Sequence, residues 1–118
     1  MSLKLEECIV KDVMPLRVPK TFRIKGLCKD KELEIELHEE IVPQPKINTR
    51  FLIELLDNKE QCLQHEICGQ GYVVSATSLE NFYRVVISLH GFLLVIKSKD
   101  PINLDAMQQL YMGMSFVK

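Results

Sequence analysis

The stretch that most constrains the fold is Phe82–Lys97, which reads FYRVVISLHGFLLVIK. Phe82–Leu89 is rich in β-branched and aromatic side chains, which favour extended backbone. His90-Gly91 interrupts this run, and five consecutive apolar residues follow in Phe92–Ile96. Two such runs around a short glycine-containing break predict a tight hairpin at the centre of the core. The second run is apolar on both faces. Either both faces are buried within this chain, or one of them contacts a partner.

Alternation of apolar and polar residues predicts six further strands. In the clearest of them, Leu33, Ile35 and Leu37 face one way and glutamates face the other. The six segments are Leu3–Asp12, Thr21–Cys28, Lys31–His38, Phe51–Leu56, Ile67–Thr77 and Leu110–Val117. Eight short strands with no competing helical period predict an all-β antiparallel fold. We expect a closed barrel, because closure removes exposed strand edges.

Three segments depart from simple alternation. A slip near Cys8 predicts a bulge or bend in the first strand. Asp57–Glu66 is polar and predicts a loop or a single helical turn, and Ile102–Gln109 is compatible with a short helix.

A length of 118 residues supports one hydrophobic core, so residues 1–118 are expected to form a single domain.

Phe22-Arg23-Ile24 opens one predicted hairpin and Tyr83-Arg84-Val85 opens another. Two related half-barrels explain this similarity, and so does ordinary β-alternation.

The charges are segregated along the chain although the net charge is only −1. Residues 1–31 carry eight Lys/Arg against four Asp/Glu, residues 32–66 carry three against nine, and residues 67–118 carry four against three. The pattern predicts one basic and one acidic surface patch, which affects docking more than folding. No overall charge points to nucleic acid or membrane.

The four cysteines, at positions 8, 28, 62 and 68, are expected to remain reduced, with a disulfide framework as the alternative. Met1-Ser2-Leu3 leads directly into charged residues, without a secretory apolar region, so a cytoplasmic location is predicted.

Cys62, His65 and Cys68 form a C-x2-H-x2-C pattern. Structural zinc sites almost always have four ligands, so loop residues are the favoured interpretation, with zinc as the alternative.

No motif for catalysis or phosphate binding is present, and we expect no catalytic residue, no cofactor and no metal. The glutamates of Lys31–His38 fit a solvated face or an acidic docking stripe. Five residues combine aromatic and basic side chains, as nucleic-acid-binding surfaces do. We expect two of them or their neighbours, Phe22 and Phe82, to lie in the core instead, which argues against nucleic-acid binding. The five are Phe22, Arg23, Lys25, Tyr83 and Arg84.

The chain has more two-faced apolar strand than a small monomer needs. Leu110–Val117 carries large apolar residues on one face and small, weakly polar ones on the other. Such surplus apolar surface usually marks an interaction site. We therefore expect a partner interface that includes Gly91, Phe92, Leu93, Tyr111 and Gly113.

The order of these features resembles one family, the small eighth subunit shared by eukaryotic nuclear RNA polymerases together with its archaeal counterpart. The similar segments, in chain order, are Leu5-Glu6-Glu7, Val10-Lys11-Asp12-Val13, Phe22-Arg23, Leu33–Leu37, Phe51–Leu55, Ser88-Leu89-His90-Gly91-Phe92-Leu93-Leu94 and Leu110–Phe116. Three features depart from the eukaryotic pattern. His90 replaces the first glycine of a Gly-Gly-Leu-Leu core, Val95 replaces a commonly basic residue, and the loop Asp57–Glu66 is short, as in the archaeal form.

The resemblance implies an eight-stranded antiparallel barrel of OB-like type. It also implies a non-catalytic structural or assembly subunit of an archaeal DNA-dependent RNA polymerase, docked on the largest subunit. The alternative function is autonomous binding of single-stranded nucleic acid by an OB-type barrel.

Overall fold

The protein is an all-β closed barrel, seen in a computed structural model that describes residues 2–117. The strands are β1 (Ser2–Pro15), β2 (Thr21–Leu27), β3 (Lys31–His38), β4 (Arg50–Leu56), β5 (Ile67–Ser78), β6 (Tyr83–Leu89), β7 (Phe92–Ser98) and β8 (Gln109–Phe116). One helical turn, α1 (Lys59–Cys62), lies between β4 and β5. The predicted eight-stranded antiparallel barrel of OB-like type is confirmed. No helix within residues 2–117 is long and apolar enough to cross a membrane.

The barrel consists of two halves with the same connectivity. Its strand order is β1-β2-β3-β7-β6-β5-β8-β4, with every neighbouring pair antiparallel. Exchanging β1–β4 for β5–β8 returns the same circular order. The register against the second strand of each half shifts between Val10 and Asp12 in β1 and between Val73 and Ser75 in β5. Matching shifts favour two related half-barrels, because ordinary alternation does not require them.

The core is formed by the inward-facing residues of all eight strands. The largest fully buried side chains include Phe22, Phe51, Leu5, Ile24, Ile35, Ile53, Leu55, Ile87, Leu94, Ile96 and Leu110. Burial of each such side chain contributes about 2 kcal/mol relative to exposure. Phe22 is in the core as expected. Phe82 is not, because it precedes β6 and is only half-buried, with the Lys97 ammonium 5.7 Å from its ring centre.

The short helix with which the sequence of Ile102–Gln109 is compatible does not form. The segment is irregular and ends in a turn before β8. Its backbone joins β5 instead, because Met107 N–H donates to the Val73 carbonyl and Val73 N–H donates to the Gln108 carbonyl. These bonds hold the segment beside the shifted register of β5, so tertiary pairing outweighs local helix preference.

The prediction of reduced cysteines is wrong for this structure. Disulfides join Cys8 to Cys28 and Cys62 to Cys68. The register of β1 shifts between Leu5 and Cys8, as the alternation predicted, and Glu7 has a φ of 54°. Cys8 is thereby buried beside the end of β2, where the chain brings Cys28.

Candidate docking surfaces

An exposed apolar face covers the outer side of β5, β6 and β7. Tyr72, Val74 and Leu93 are 43%, 45% and 38% exposed. Val86, which is only 9% exposed, pairs with the half-buried Val95 across β6 and β7, and both side chains are on the same outer side of the barrel wall as the other three. We call these five residues the apolar face. Outer barrel positions are normally polar, and contiguous exposed apolar residues mark interaction sites.

The structure groups only part of the predicted interface. Gly91, Phe92 and Leu93 lie together at the β6–β7 turn, and Leu93 belongs to the apolar face. Tyr111 and Gly113 are on β8, which β5 and β6 separate from β7. Tyr111 is half-buried, and Gly113 is buried. The assignment of these residues to an interface stays a prediction.

The turn between β6 and β7 explains one departure from the eukaryotic pattern. His90 has a φ of 53° and Gly91 a φ of 91°. Two-residue hairpin turns with positive φ at both positions match the twist of the strands and favour glycine. A glycine pair is therefore the relaxed solution at this turn. Histidine is among the residues that tolerate this region better than most.

The glutamate row of β3 is largely neutralised within the barrel. Arg23 Nη2 lies 3.1 Å from Glu36 Oε2, and Lys25 Nζ lies 3.8 Å from Glu34 Oε1. Glu36 also accepts a hydrogen bond from Leu93 N–H at 3.0 Å. The row therefore offers few unpaired carboxylates for a basic partner. The same pairs occupy Arg23 and Lys25, two of the five residues considered for nucleic-acid binding.

His65 connects α1 to the outer side of β4 and β8. Its Nδ1 lies 2.9 Å from Ser115 Oγ and its Nε2 lies 3.1 Å from Glu54 Oε1. The imidazole lies against Gly113, where any Cβ would overlap it. We call these four residues the His65 network. Its members come from β4, from the segment after α1 and from β8, and no local pattern pointed to Glu54 or Ser115.

The C-x2-H-x2-C segment is accounted for by this arrangement. Cys62 and Cys68 bond to each other across the end of α1, and His65 points to Glu54 and Ser115. Within the described residues 2–117, no three His, Cys, Asp or Glu side chains are grouped so as to hold a metal ion. The predicted single turn is α1, with Asn58 accepting the capping hydrogen bond from Gln61 N–H.

We predict that Gly113→Ala destabilises the barrel by about 2 kcal/mol, because the new methyl group displaces the imidazole and breaks its hydrogen bonds. The displaced group is a side chain, so the strands themselves need not separate. Urea denaturation of Gly113→Ala, His65→Ala and the double variant measures the effect. In the His65→Ala background the glycine substitution should cost less than about 0.5 kcal/mol. Additive losses would contradict this account.

The closed barrel places the chain in the class of small OB-like β-barrel proteins. Residues 4–116 match the model of the RpbG family of DNA-directed RNA polymerase subunits. The match spans nearly the whole chain, so the chain belongs to this family and is a component of a DNA-directed RNA polymerase. A search of curated proteins finds no match.

Proposed function

We propose that this chain is a non-catalytic structural subunit of an archaeal RNA polymerase, acting as one barrel domain in the cytoplasm. It docks on the largest subunit. Membership of the RpbG family supports an assembly role. The short connection around α1 supports the archaeal assignment, because it resembles the archaeal form rather than the long acidic loop of eukaryotic members.

The observation that carries the docking proposal is the apolar face. In a closed barrel the strands pair with each other, so a partner has to be recognised mainly through side chains. Tyr72, Val74 and Leu93 provide exposed apolar area, and Tyr72 is of the type enriched in interface cores. Paired charges such as Arg23 and Glu36 border the face on the β3 side and supply a polar rim.

Leu93→Glu tests the docking proposal. The variant is expected to fold, because Leu93 already contacts solvent, and to lose at least about tenfold in affinity for the largest subunit. The reason is that docking would bury an unpaired carboxylate. Co-purification with the large polymerase subunits reports binding, and circular dichroism reports folding.

Val18→Glu is the matched control, because Val18 is 64% exposed in the β1–β2 connection, outside the apolar face. It should co-purify like the unmodified chain. A folded Leu93→Glu chain recovered at the unmodified level would exclude this face as the docking surface. Loss of both variants from the assembly would indicate a general effect of added negative charge.

A further inference from the structure

Two adjoining clefts lie beside the β2–β3 turn and the end of β7. Their volumes are about 420 and 730 Å³, and both are lined by Leu27, Glu32 and Lys97. Six lysines line them in total: Lys11, Lys25, Lys29, Lys31, Lys97 and Lys99. We call the pair the lysine cleft. Four of these lysines come from the basic first part of the chain, so the fold gathers that charge at one place.

Most of these ammonium groups have no carboxylate partner. Lys31 pairs with Asp30 at 3.1 Å, and Lys25 pairs with Glu34 at 3.8 Å. Within residues 2–117, the other four have no carboxylate oxygen within 4.0 Å. Six lysines against four carboxylates leave the lining with a net charge of +2, which an anionic occupant would neutralise.

The other groups in the cleft decide between anionic partners. Carboxylates interrupt the lysines, namely Asp30, Glu32, Glu34 and Asp100. They repel any anion, and a phosphate backbone, which carries a charge at every nucleotide, would be repelled more than a peptide whose acidic residues are separated by uncharged ones. Phe82 is the aromatic residue that lines the cleft, and the Lys97 ammonium lies over its ring at 5.7 Å. The ammonium thus occupies a ring face of the kind on which single-stranded bases stack.

An apolar element completes the site. Leu27 is 46% exposed between the two clefts, and Val95 of the apolar face lines the smaller one. An occupant that places separate carboxylates on the lysines and an apolar side chain on Leu27 would match this surface. Separate charges and an apolar group on one short chain are properties of a peptide rather than of a nucleic acid.

We propose that the lysine cleft binds an extended acidic segment of a protein partner, with an apolar side chain on Leu27. This is a second binding site, and it does not depend on docking through the apolar face. Extended peptides place alternate side chains on the surface beneath them, which allows carboxylates and an apolar residue to be read separately.

Fluorescence anisotropy with the full chain tests the proposal. The probe is a short labelled peptide in which aspartate and glutamate alternate with uncharged residues on either side of two central leucines, titrated at low and high salt. We expect saturable binding that weakens as salt rises, because screening acts on exposed charges. Replacing the leucines of the probe with glycine should also weaken binding.

The Lys29→Glu/Lys97→Glu variant should lose at least about tenfold in peptide affinity. Lys46→Glu/Lys59→Glu is the matched control, because it changes the net charge equally outside the cleft. Equal loss in both variants would reduce the effect to net charge and overturn the proposal. Tighter binding of a labelled oligothymidylate than of the peptide would assign the cleft to nucleic acid, and failure of the peptide to bind would also overturn it.

Discussion

Replacing Gly71 with alanine is expected to destabilise the barrel by about 3 kcal/mol or more, the largest effect of any glycine substitution in the chain. A Cβ at this position would overlap the carbonyl oxygen of Ser88. Ser88 is in β6, opposite Tyr72 of β5. The obstruction is backbone, so no rotamer change relieves it. The two strands must separate locally, which also weakens the hydrogen bonds between them.

Gly69→Ala is the control for this prediction. Gly69 lies two positions earlier in β5, and the nearest atom to its Cβ would be Leu89 Cδ2 at 3.7 Å, an ordinary contact. Its cost should stay below about 1 kcal/mol, because substitutions that create no overlap are usually tolerated. Urea denaturation compares the midpoints of the two variants. Equal midpoints would show that β5 and β6 adjust freely around Gly71.

The second large effect is expected from the Cys8–Cys28 disulfide. The bond links residues 20 apart in sequence, and loop-closure entropy assigns it about 3 kcal/mol. Replacing both cysteines with alanine removes this constraint from the unfolded chain. The Cys62–Cys68 bond spans only 6 residues and should contribute about 2 kcal/mol. Denaturation with and without reductant measures each double variant.

Reductant supplies the control within the same experiment. It should destabilise the unmodified chain and leave a variant that lacks all four cysteines unchanged. Alkylation of the chain in denaturant without reductant should modify no thiol, because all four cysteines within the described residues are paired. Modification of all four would refute both disulfides. Disulfides are rare in cytosolic proteins except in hyperthermophiles, so their detection would bear on the proposed archaeal source.

The strands were predictable because their signal is local. In Lys31–His38 every second residue is apolar from Leu33 to Leu37, and the structure has β3 at the same bounds. The hairpin in Phe82–Lys97 was equally clear, since a two-residue break separates two β-rich runs. The helical turn after β4 was one of two options left open by its polar sequence. These features need information from neighbouring residues only.

The candidate surfaces were predictable only in part. Surplus apolar residues indicated an interface, and Leu93 is exposed on the apolar face. Gly113 belongs to the same interface prediction, which stays a prediction, and the imidazole of His65 lies against it within the chain. The excess of basic residues in the first part of the sequence predicted a basic surface patch, and the lysine cleft contains four of those residues. The position of the cleft was not predicted, because Lys97 and Lys99 come from the far end of the chain.

The sequence by itself determined the all-β class, the positions of eight strands and the excess of apolar surface, because side-chain alternation reports which face of a strand is buried. Only the tertiary structure decided how the barrel closes, which cysteines meet and which charges remain unpaired. Those outcomes depend on register between distant strands. Position 71 requires glycine because the carbonyl oxygen of Ser88, in another strand, lies where a Cβ would be. The residues next to Gly71 in the sequence do not indicate that contact.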